Sequence, residues 1–542
     1  MEKVRGKLMG EWIFQSKGKP VLVLGVQCHN SSAYDAAEME TAWQVLEQMN
    51  GNTMEVPVYW DKIEPEEGRF DFSIVGDLLD QARARGKYLI FLWFATWKNG
   101  SMKYCPLWVK HDQERFHRVI NQDGTALPLL SPHCARNRNA DAKAFRELMK
   151  YIGKADSEHQ TVLAVQVENE PGYAARAVCD YGPDGREAAA GRVPGDVLDF
   201  IISEGAGSEF DAWKAAGGRA AGTWQEVFGS RGYDLMTAHA VASYIDYVAA
   251  CGKEEYGLPM YVNVWLDHQL WDQPGLGYPA GAPVTRNLVL WKSCTPHLDF
   301  IAPDVYLQPM SQVKEIYGAY ARPDNPLYIP ESSPVVSNAL NMVRAFAEHG
   351  LQGICFFGAE SYLNLQGELE EGAEPGRQNY QFLGAIAPLL IKYRGTGRIH
   401  ALYQEEFALE MQLKLRNYEA VVSFDSNPAA DLGRIRSRRV GWFNKKWEGK
   451  APRGRGILIE CEDGTLYLAG AGIRLSLRRS HDEGVPYSPI VEERHVNYDL
   501  VWEGTLSSDC TFVRRRIRSG DETDNAIFAT PDSGVIKIVM GD

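Results

Sequence analysis

Val162-Leu163-Ala164-Val165-Gln166-Val167-Glu168-Asn169-Glu170-Pro171-Gly172 is the stretch on which the reading of this chain turns. Its apolar start reads as a strand buried on both faces, the kind found in parallel sheets, because a strand with one wet face would alternate. It then ends abruptly in charge, and Pro-Gly stops it. Working outward, comparable runs recur at Pro20 to Val26, Thr53 to Tyr59, Lys87 to Phe94, Leu258 to Trp265, Leu298 to Val305, Pro326 to Ile329 and Gly353 to Phe357, with Thr161 to Glu168 the fourth in order. Helical stretches separate most of them. Met39, Ala42, Leu46 and Met49 share one helical face, and Phe72 to Arg85 follows the same period. Strand and helix alternating to a count of eight predict an α/β fold, a (β/α)8 TIM barrel.

At 542 residues the chain exceeds what one core usually serves, so a second domain is expected. Residues 1–390 read as the catalytic barrel, with a long insertion near 171–231 that is rich in Gly and Ala, carries a helical island near Asp196 to Glu204, and is placed as a lid or rim. Residues 391–542 read as an all-β, sandwich-like domain, from the alternation Phe407, Leu409, Met411, Leu413, Leu415 and the turn at Asp463-Gly464. Its basic clusters, Arg434 to Arg439 and Arg514 to Arg518, read as solvated strand faces or an intersubunit contact.

The net charge of −14 argues against a nucleic-acid partner, and no apolar run is long enough to span a membrane. The first residues lack the apolar core of a secretory signal, and nine cysteines without a C-x-x-C pair suit a reducing compartment, so a cytoplasmic location is expected. No metal site or cofactor is expected: His29, His133, His239 and His268 lack ligand spacing, and the Gly-rich pieces at 454–456 and 470–472 complete no dinucleotide fingerprint. Fourteen Trp and 25 Tyr suit sugar faces as well as core packing.

Barrel enzymes carry their chemistry at the carboxyl ends of strands. Glu170 ends the fourth expected strand and Glu331, in Tyr328-Ile329-Pro330-Glu331, ends the seventh, on the opposite side of the ring. Two facing carboxylates are what glycosidic cleavage needs, one to protonate the leaving oxygen and one to attack the anomeric carbon or activate water. Glu168 shares strand parity with Glu170 and reads as a structural carboxylate paired with a donor inside the barrel. Tyr59, Trp60, Trp93, Trp97, Asn263 and Trp265 at other strand ends are candidate sugar contacts, and Glu360 a candidate hydroxyl ligand.

Gln166-Val167-Glu168-Asn169-Glu170 resembles the acid/base motif of family 35 β-galactosidases, and Asn169-Glu170-Pro171 is similar to the signature shared across clan A glycoside hydrolases. The segment Asn52 to Phe72, with Trp60, Glu64-Pro65, Gly68 and Phe70-Asp71-Phe72, resembles the strand-two segment of families 35 and 42. Gly520-Asp521-Glu522-Thr523 is similar to the C-terminal domain of some bacterial family 35 members. The resemblance implies Glu170 as acid/base, Glu331 as nucleophile, Asn169 as the partner of the sugar's 2-hydroxyl and Tyr306 as the tyrosine that bonds the nucleophile. It implies a retaining, exo-acting β-glycoside hydrolase, first a β-galactosidase acting on an oligosaccharide or β-galactoside, with a homo-oligomer expected. A β-glucosidase, a β-mannosidase and a catalytically silent carbohydrate-binding barrel stand as alternatives.

Overall fold

The computed structural model describes residues 12–267, 273–406, 408–425, 453–479, 496–523 and 526–541. Seven parallel strands form one curled sheet: β1 (Val23–Gln27), β2 (Thr53–Tyr59), β3 (Tyr88–Lys98), β4 (Val162–Asn169), β5 (Met260–Val264), β6 (Phe300–Pro303) and β7 (Gly353–Phe357). Their order in space is β6-β5-β4-β3-β2-β1-β7. Every residue of β1, β2, β4, β5 and β6 is buried, which is what the unbroken apolar runs demanded.

The eighth place in the ring corrects the sequence reading. Pro326 to Ile329 forms no regular strand; Ile329 makes a single parallel bridge to Ile354. Proline has no N–H to give a ladder, and Pro326 and Pro330 flank the segment. The ring closes all the same. On one side Ile329 N donates to Gly353 O (3.1 Å) and Cys355 N to Ile329 O (2.9 Å), while on the other Val305 N donates to Glu331 O (2.8 Å) and Ile301 N to Asn325 Oδ1 (2.7 Å). The architecture is a (β/α)8 barrel whose seventh position is held by an irregular segment, and Glu331 sits on that segment.

Helices cover the sheet as their periodicity predicts. Ala36–Gln48 buries Met39, Ala42 and Leu46, and Asp35 caps it by accepting from Ala37 N (2.7 Å) and Glu38 N (3.3 Å). Ser73–Arg85 stops at Gly86, whose φ of 62° ends the helix in the left-handed region. Between β4 and β5 the insertion folds into helices Pro183–Ala190, Gly195–Glu204, Ser208–Ala215 and Trp224–Phe228.

After helix Glu374–Tyr393 the described residues form β-strands with two short 3-10 turns, Gly520–Glu522 and Pro531–Ser533. A six-stranded antiparallel sheet runs from Ile399–Tyr403 through Arg455–Glu460, Leu466–Ala471, Val535–Met540 and Tyr498–Leu506 to Phe512–Arg518. A four-stranded one contains Glu410–Lys414, Tyr418–Phe424, Ile473–Arg479 and Ile527–Ala529. Leu402, Val422, Leu468, Leu475 and Ile536 belong to the core they share. The turn read at Asp463-Gly464 joins two of these strands, with Gly464 at φ 82°. Buried Arg455 ties the region to the barrel's last helix, donating to Asn379 Oδ1 (2.6 Å), Gln378 Oε1 (2.9 Å) and Pro375 O (2.9 Å). His268, Phe407 and the cluster Arg434 to Arg439 lie outside the described residues.

Candidate active site

At the carboxyl ends of the strands lies a cavity of about 460 Å³, bordered by Glu170, Glu331, Asp304, Lys98, Tyr306 and Trp265 among others. The end of β4 explains how one strand delivers two carboxylates to different places. Glu168 and Glu170 have φ of 65° and 44°, left-handed conformations that cost non-glycine residues on the order of 1 kcal/mol or more each. Glu170 N donates to Asn263 Oδ1 (2.8 Å), which pins the kink. Glu168 stays inside, where its carboxylate accepts from Thr96 N (3.2 Å) and Trp97 N (2.6 Å). Burial, then the charge of Asp141, push its carboxyl well above the usual range. Glu170 emerges at the cavity.

Glu331 receives two donors aimed at its oxygens: Tyr306 Oη at 2.8 Å and Gln27 Nε2 at 3.1 Å. Glu170 accepts from Asn99 Nδ2. Burial, and after it the charge of Glu331, push the Glu170 carboxyl up to about 7, with Lys98 working in the other direction. Carboxylate oxygens of Glu170, Asp304 and Glu331 lie within 4.8 Å of one another. Asp304 is buried and accepts from Asn263 Nδ2 (2.9 Å). Lys98 Nζ donates to Asn169 Oδ1 (2.7 Å) and stands 4.9 Å from the Phe94 ring centre.

The structure brings Glu170, Glu331, Tyr306 and Trp265 to this place, with Asn169 behind the wall and reached through Lys98 Nζ. Trp265 is 38% exposed and Tyr306 44%, so both offer ring surface at the cavity. Asn169 is buried, and its Nδ2 has no protein partner among the described residues. Asn263 stands behind the carboxylates and holds Glu170 and Asp304 rather than bordering the space.

Five expectations are corrected. Trp93 is fully buried and donates its Nε1 to Asp141 Oδ1 (2.9 Å), so it is core. Trp60 is fully buried against Trp108 and donates to Glu64 Oε2 (3.1 Å). Tyr59 is covered by the stacked ring of Tyr34 and reaches the cavity only indirectly, by donating to the carbonyl of Asn30 (2.8 Å). Glu360 accepts from His29 N (2.9 Å), and neither borders the cavity. Trp97, the remaining candidate from the third strand, is also fully buried.

Sequence reasoning missed Lys98, Asn99 and Asp304. The rule that found Glu170 also applies to Asp304, the first charged residue after the run Phe300-Ile301-Ala302-Pro303. Lys98 and Asn99 were hidden because β3 runs four residues past the expected end at Phe94. His117, Cys134 and Asp184 also bring ligand-type atoms within 4.8 Å, but His117 Nδ1 and Asp184 Oδ2 already share a hydrogen bond of 2.6 Å.

A (β/α)8 barrel with opposed glutamates at its carboxyl mouth is the architecture of the clan A glycoside hydrolases. Residues 28–188 match the glycoside hydrolase family 42 model, described as β-galactosidase, and so support the resemblance to that family over less than a third of the chain. Residues 377–530 match a domain of unknown function, DUF5597. No curated protein matches the chain. Among solved structures it is similar to the catalytic domain of β-amylase from Paenibacillus polymyxa, at 13% identity and TM-score 0.49 over 66% of this chain and 96% of that one. It is similar to β-galactosidase from Bacillus circulans sp. alkalophilus, at 14% identity and TM-score 0.47 over 67% and 56%. It is also similar to an exo-β-1,4-mannosidase from Opitutaceae bacterium strain TAV5, at 14% and 0.43 over 69% and 62%. The match thus spans less than two thirds of the β-galactosidase and of the mannosidase.

Proposed function

We propose that this chain is a retaining, exo-acting β-glycosidase, in the first instance a β-galactosidase, with Glu331 as nucleophile and Glu170 as acid/base. The observation that carries the proposal is the approach of the two carboxylates within 4.8 Å. Retaining sites hold them about 5–5.5 Å apart, whereas inverting sites need roughly 6.5–9.5 Å to admit a water. The unequal surroundings divide the roles. Glu331, served by two donors, is suited to attack as an anion, and Glu170, pushed up to about 7, is suited to carry a proton near neutral pH.

Glu331 attacks the anomeric carbon while Glu170 protonates the departing oxygen, and the glycosidic bond breaks to leave a glycosyl ester on Glu331. Glu170, now a carboxylate, takes a proton from water, which attacks the ester and frees the sugar with its configuration retained. Trp265 offers a face for the ring, and Asn169, whose Nδ2 has no partner among the described residues, stands behind Lys98. The substrate is a soluble β-galactoside or oligosaccharide met in the cytoplasm. The β region, joined through Arg455, acts as a buttress.

A panel of nitrophenyl β-galactoside, β-glucoside and β-mannoside, with the first-formed anomer followed by proton NMR, tests the reading. Release of β-galactose from the galactoside is expected. Preference for the glucoside or mannoside would reassign the sugar and keep the mechanism. An α anomer formed first would remove double displacement, and sugar binding without hydrolysis of any member would make the barrel a carbohydrate-binding one.

A further inference from the structure

We infer that Asp304 is a positioning residue that stays protonated through both halves of the reaction and donates a hydrogen bond to Glu170. The inference rests on the glycosidase reading and adds a third carboxyl group to its machinery. Asp304 Oδ2 accepts from Asn263 Nδ2 at 2.9 Å, but Oδ1 is buried and receives no donor from any described residue. An anion there would leave one oxygen unserved, at full desolvation cost. A carboxylic acid would carry its proton on that oxygen and become a donor. Glu170 is the acceptor beside it: the Asp304 side chain hydrogen-bonds the Glu170 carboxyl and favours its ionised form, and the two groups belong to one cluster whose oxygens lie within 4.8 Å. Asn263 fixes the pair, accepting from Glu170 N (2.8 Å) through its Oδ1 while its Nδ2 holds Asp304.

The charge balance gives the arrangement its purpose. Lys98 is the cation beside these three carboxyls. With Asp304 neutral, the resting site contains one anion, Glu331, and one cation, Lys98, with Glu170 protonated. Glycosylation esterifies Glu331 and moves the Glu170 proton to the leaving group, so the anion becomes Glu170 and the sum stays zero. Hydrolysis reverses both changes. An ionised Asp304 would leave a buried net negative charge in both states, which a low-dielectric pocket disfavours. Burial, and then the charges of Glu331 and Glu170, push Asp304 well above the ordinary carboxyl range, with Lys98 opposing and Glu55 on β2 adding to the rise. Tyr261 on β5, Tyr306 after β6 and Tyr320 also face it, and burial holds all three phenols neutral.

Two variants and one spectrum test this. Asp304→Asn keeps the shape and an N–H donor, so kcat and the alkaline limb of the kcat/KM profile should stay close to wild type. Asp304→Ala removes the donor that favours the ionised form of Glu170. It should lose about 10- to 100-fold in kcat, with the alkaline limb moved to higher pH. If Asp304 works as an anion, both variants should move the limb to lower pH and Asn should be as damaging as Ala. If it only supports the fold, both should lose activity with the limb unmoved. Either result overturns the inference. The infrared difference between wild type and Asp304→Asn at neutral pH reads the proton without substrate. A carboxylic acid C=O band is expected, and a carboxylate band in its place also overturns the inference. An acid band in a protein inactive on the whole glycoside panel would instead refute the glycosidase reading, and Asp304's part in catalysis with it.

Discussion

At the barrel mouth three buried carboxyls face Lys98, whereas on the six-stranded sheet the carboxylate of Glu503 meets three arginines, of which Arg516 also pairs with a second carboxylate, that of Glu522. Glu503 accepts from Arg515 Nη2 (3.1 Å), Arg516 Nη1 (3.3 Å) and Arg518 Nε (2.8 Å). Burial works to raise its carboxyl, but the Arg518 contact and the other arginines outweigh it and hold it below the ordinary range. Glu170, with burial and Glu331 against it, is pushed up to about 7. A structural ion cluster is supplied with excess countercharge, because leaving a buried charge unpaired is costly. A site for proton transfer is undersupplied, because a carboxyl must gain and lose its proton near neutral pH. The basic stretch Arg514 to Arg518, read from sequence as a solvated face or subunit contact, spends Arg515, Arg516 and Arg518 on Glu503 within the chain.

The strongest way to break this contrast is to remove the carboxylates one at a time. Glu331→Ala should lower kcat by about 10⁴-fold or more on every leaving group, since no ester can form. Glu170→Ala should lose about 10²–10⁴-fold on substrates with poor leaving groups, yet still release a burst from activated aryl glycosides that need little acid help. Azide should rescue Glu170→Ala as the β-glycosyl azide and Glu331→Ala as the α-azide. Opposite products would reverse the roles, and near-normal activity in both variants would remove the pair from the chemistry.

Next in size are the stability effects, which should carry opposite signs at the two clusters. Glu503→Gln leaves the buried Arg518 short of its anion and should cost about 3 kcal/mol at neutral pH. Because the folded state holds Glu503 below its ordinary range, that stability is present above the unfolded value and fades as acid protonates the group. Glu170 runs the other way. Its folded value of about 7 lies above the ordinary 4.5, so its contribution is intact below 4.5 and is lost as pH rises through 7. Glu170→Gln should therefore raise stability at pH 8 by on the order of 2–3 kcal/mol and change little at pH 4. Urea titrations of both variants at the two pH values measure this, and a destabilised Glu170→Gln at pH 8 would contradict the pressure placed on that carboxyl. If Glu170 is the acid of the proposed reaction, the alkaline limb of the wild-type kcat/KM profile should fall near 7.

Most of the barrel was legible because two-face burial writes itself as unbroken apolar runs. Thr53–Tyr59 and Gly353–Phe357 were read at both ends. The seventh position was legible as a place but not as a strand, since Pro326 and Pro330 remove the ladder donors while neighbouring chains still close the ring. Glu170 and Glu331 stood out as charges where apolar runs stop. Asp304 obeyed the same rule and was passed over, because its partners come from other strands and only the closed ring brings them together. Aromatics were the poorest guide. Trp60 and Trp93 sit near strand ends as Trp265 does, but which side of the wall a ring occupies depends on packing from helices far away in sequence.

That division of the tryptophans yields the smallest effect and the sharpest use of the mouth's geometry. Trp265 is 38% exposed at the cavity, whereas Trp60 is buried with its Nε1 given to Glu64. An aromatic face contributes about 0.5–1.5 kcal/mol beyond the area it covers. If Trp265 stacks on the bound sugar in ground and transition states alike, Trp265→Ala should raise KM roughly 3- to 10-fold with kcat little changed. Little apolar contact is lost from the core, so the melting temperature should hardly move. Trp60→Phe should lower stability through the lost hydrogen bond and leave KM where it was. A fall in kcat with KM unchanged in Trp265→Ala would mean the ring acts on the transition state alone. Equal KM values in both variants and wild type would place the sugar against another wall of the cavity, where Leu266, Leu307 and Phe357 are the remaining aliphatic and phenyl surfaces.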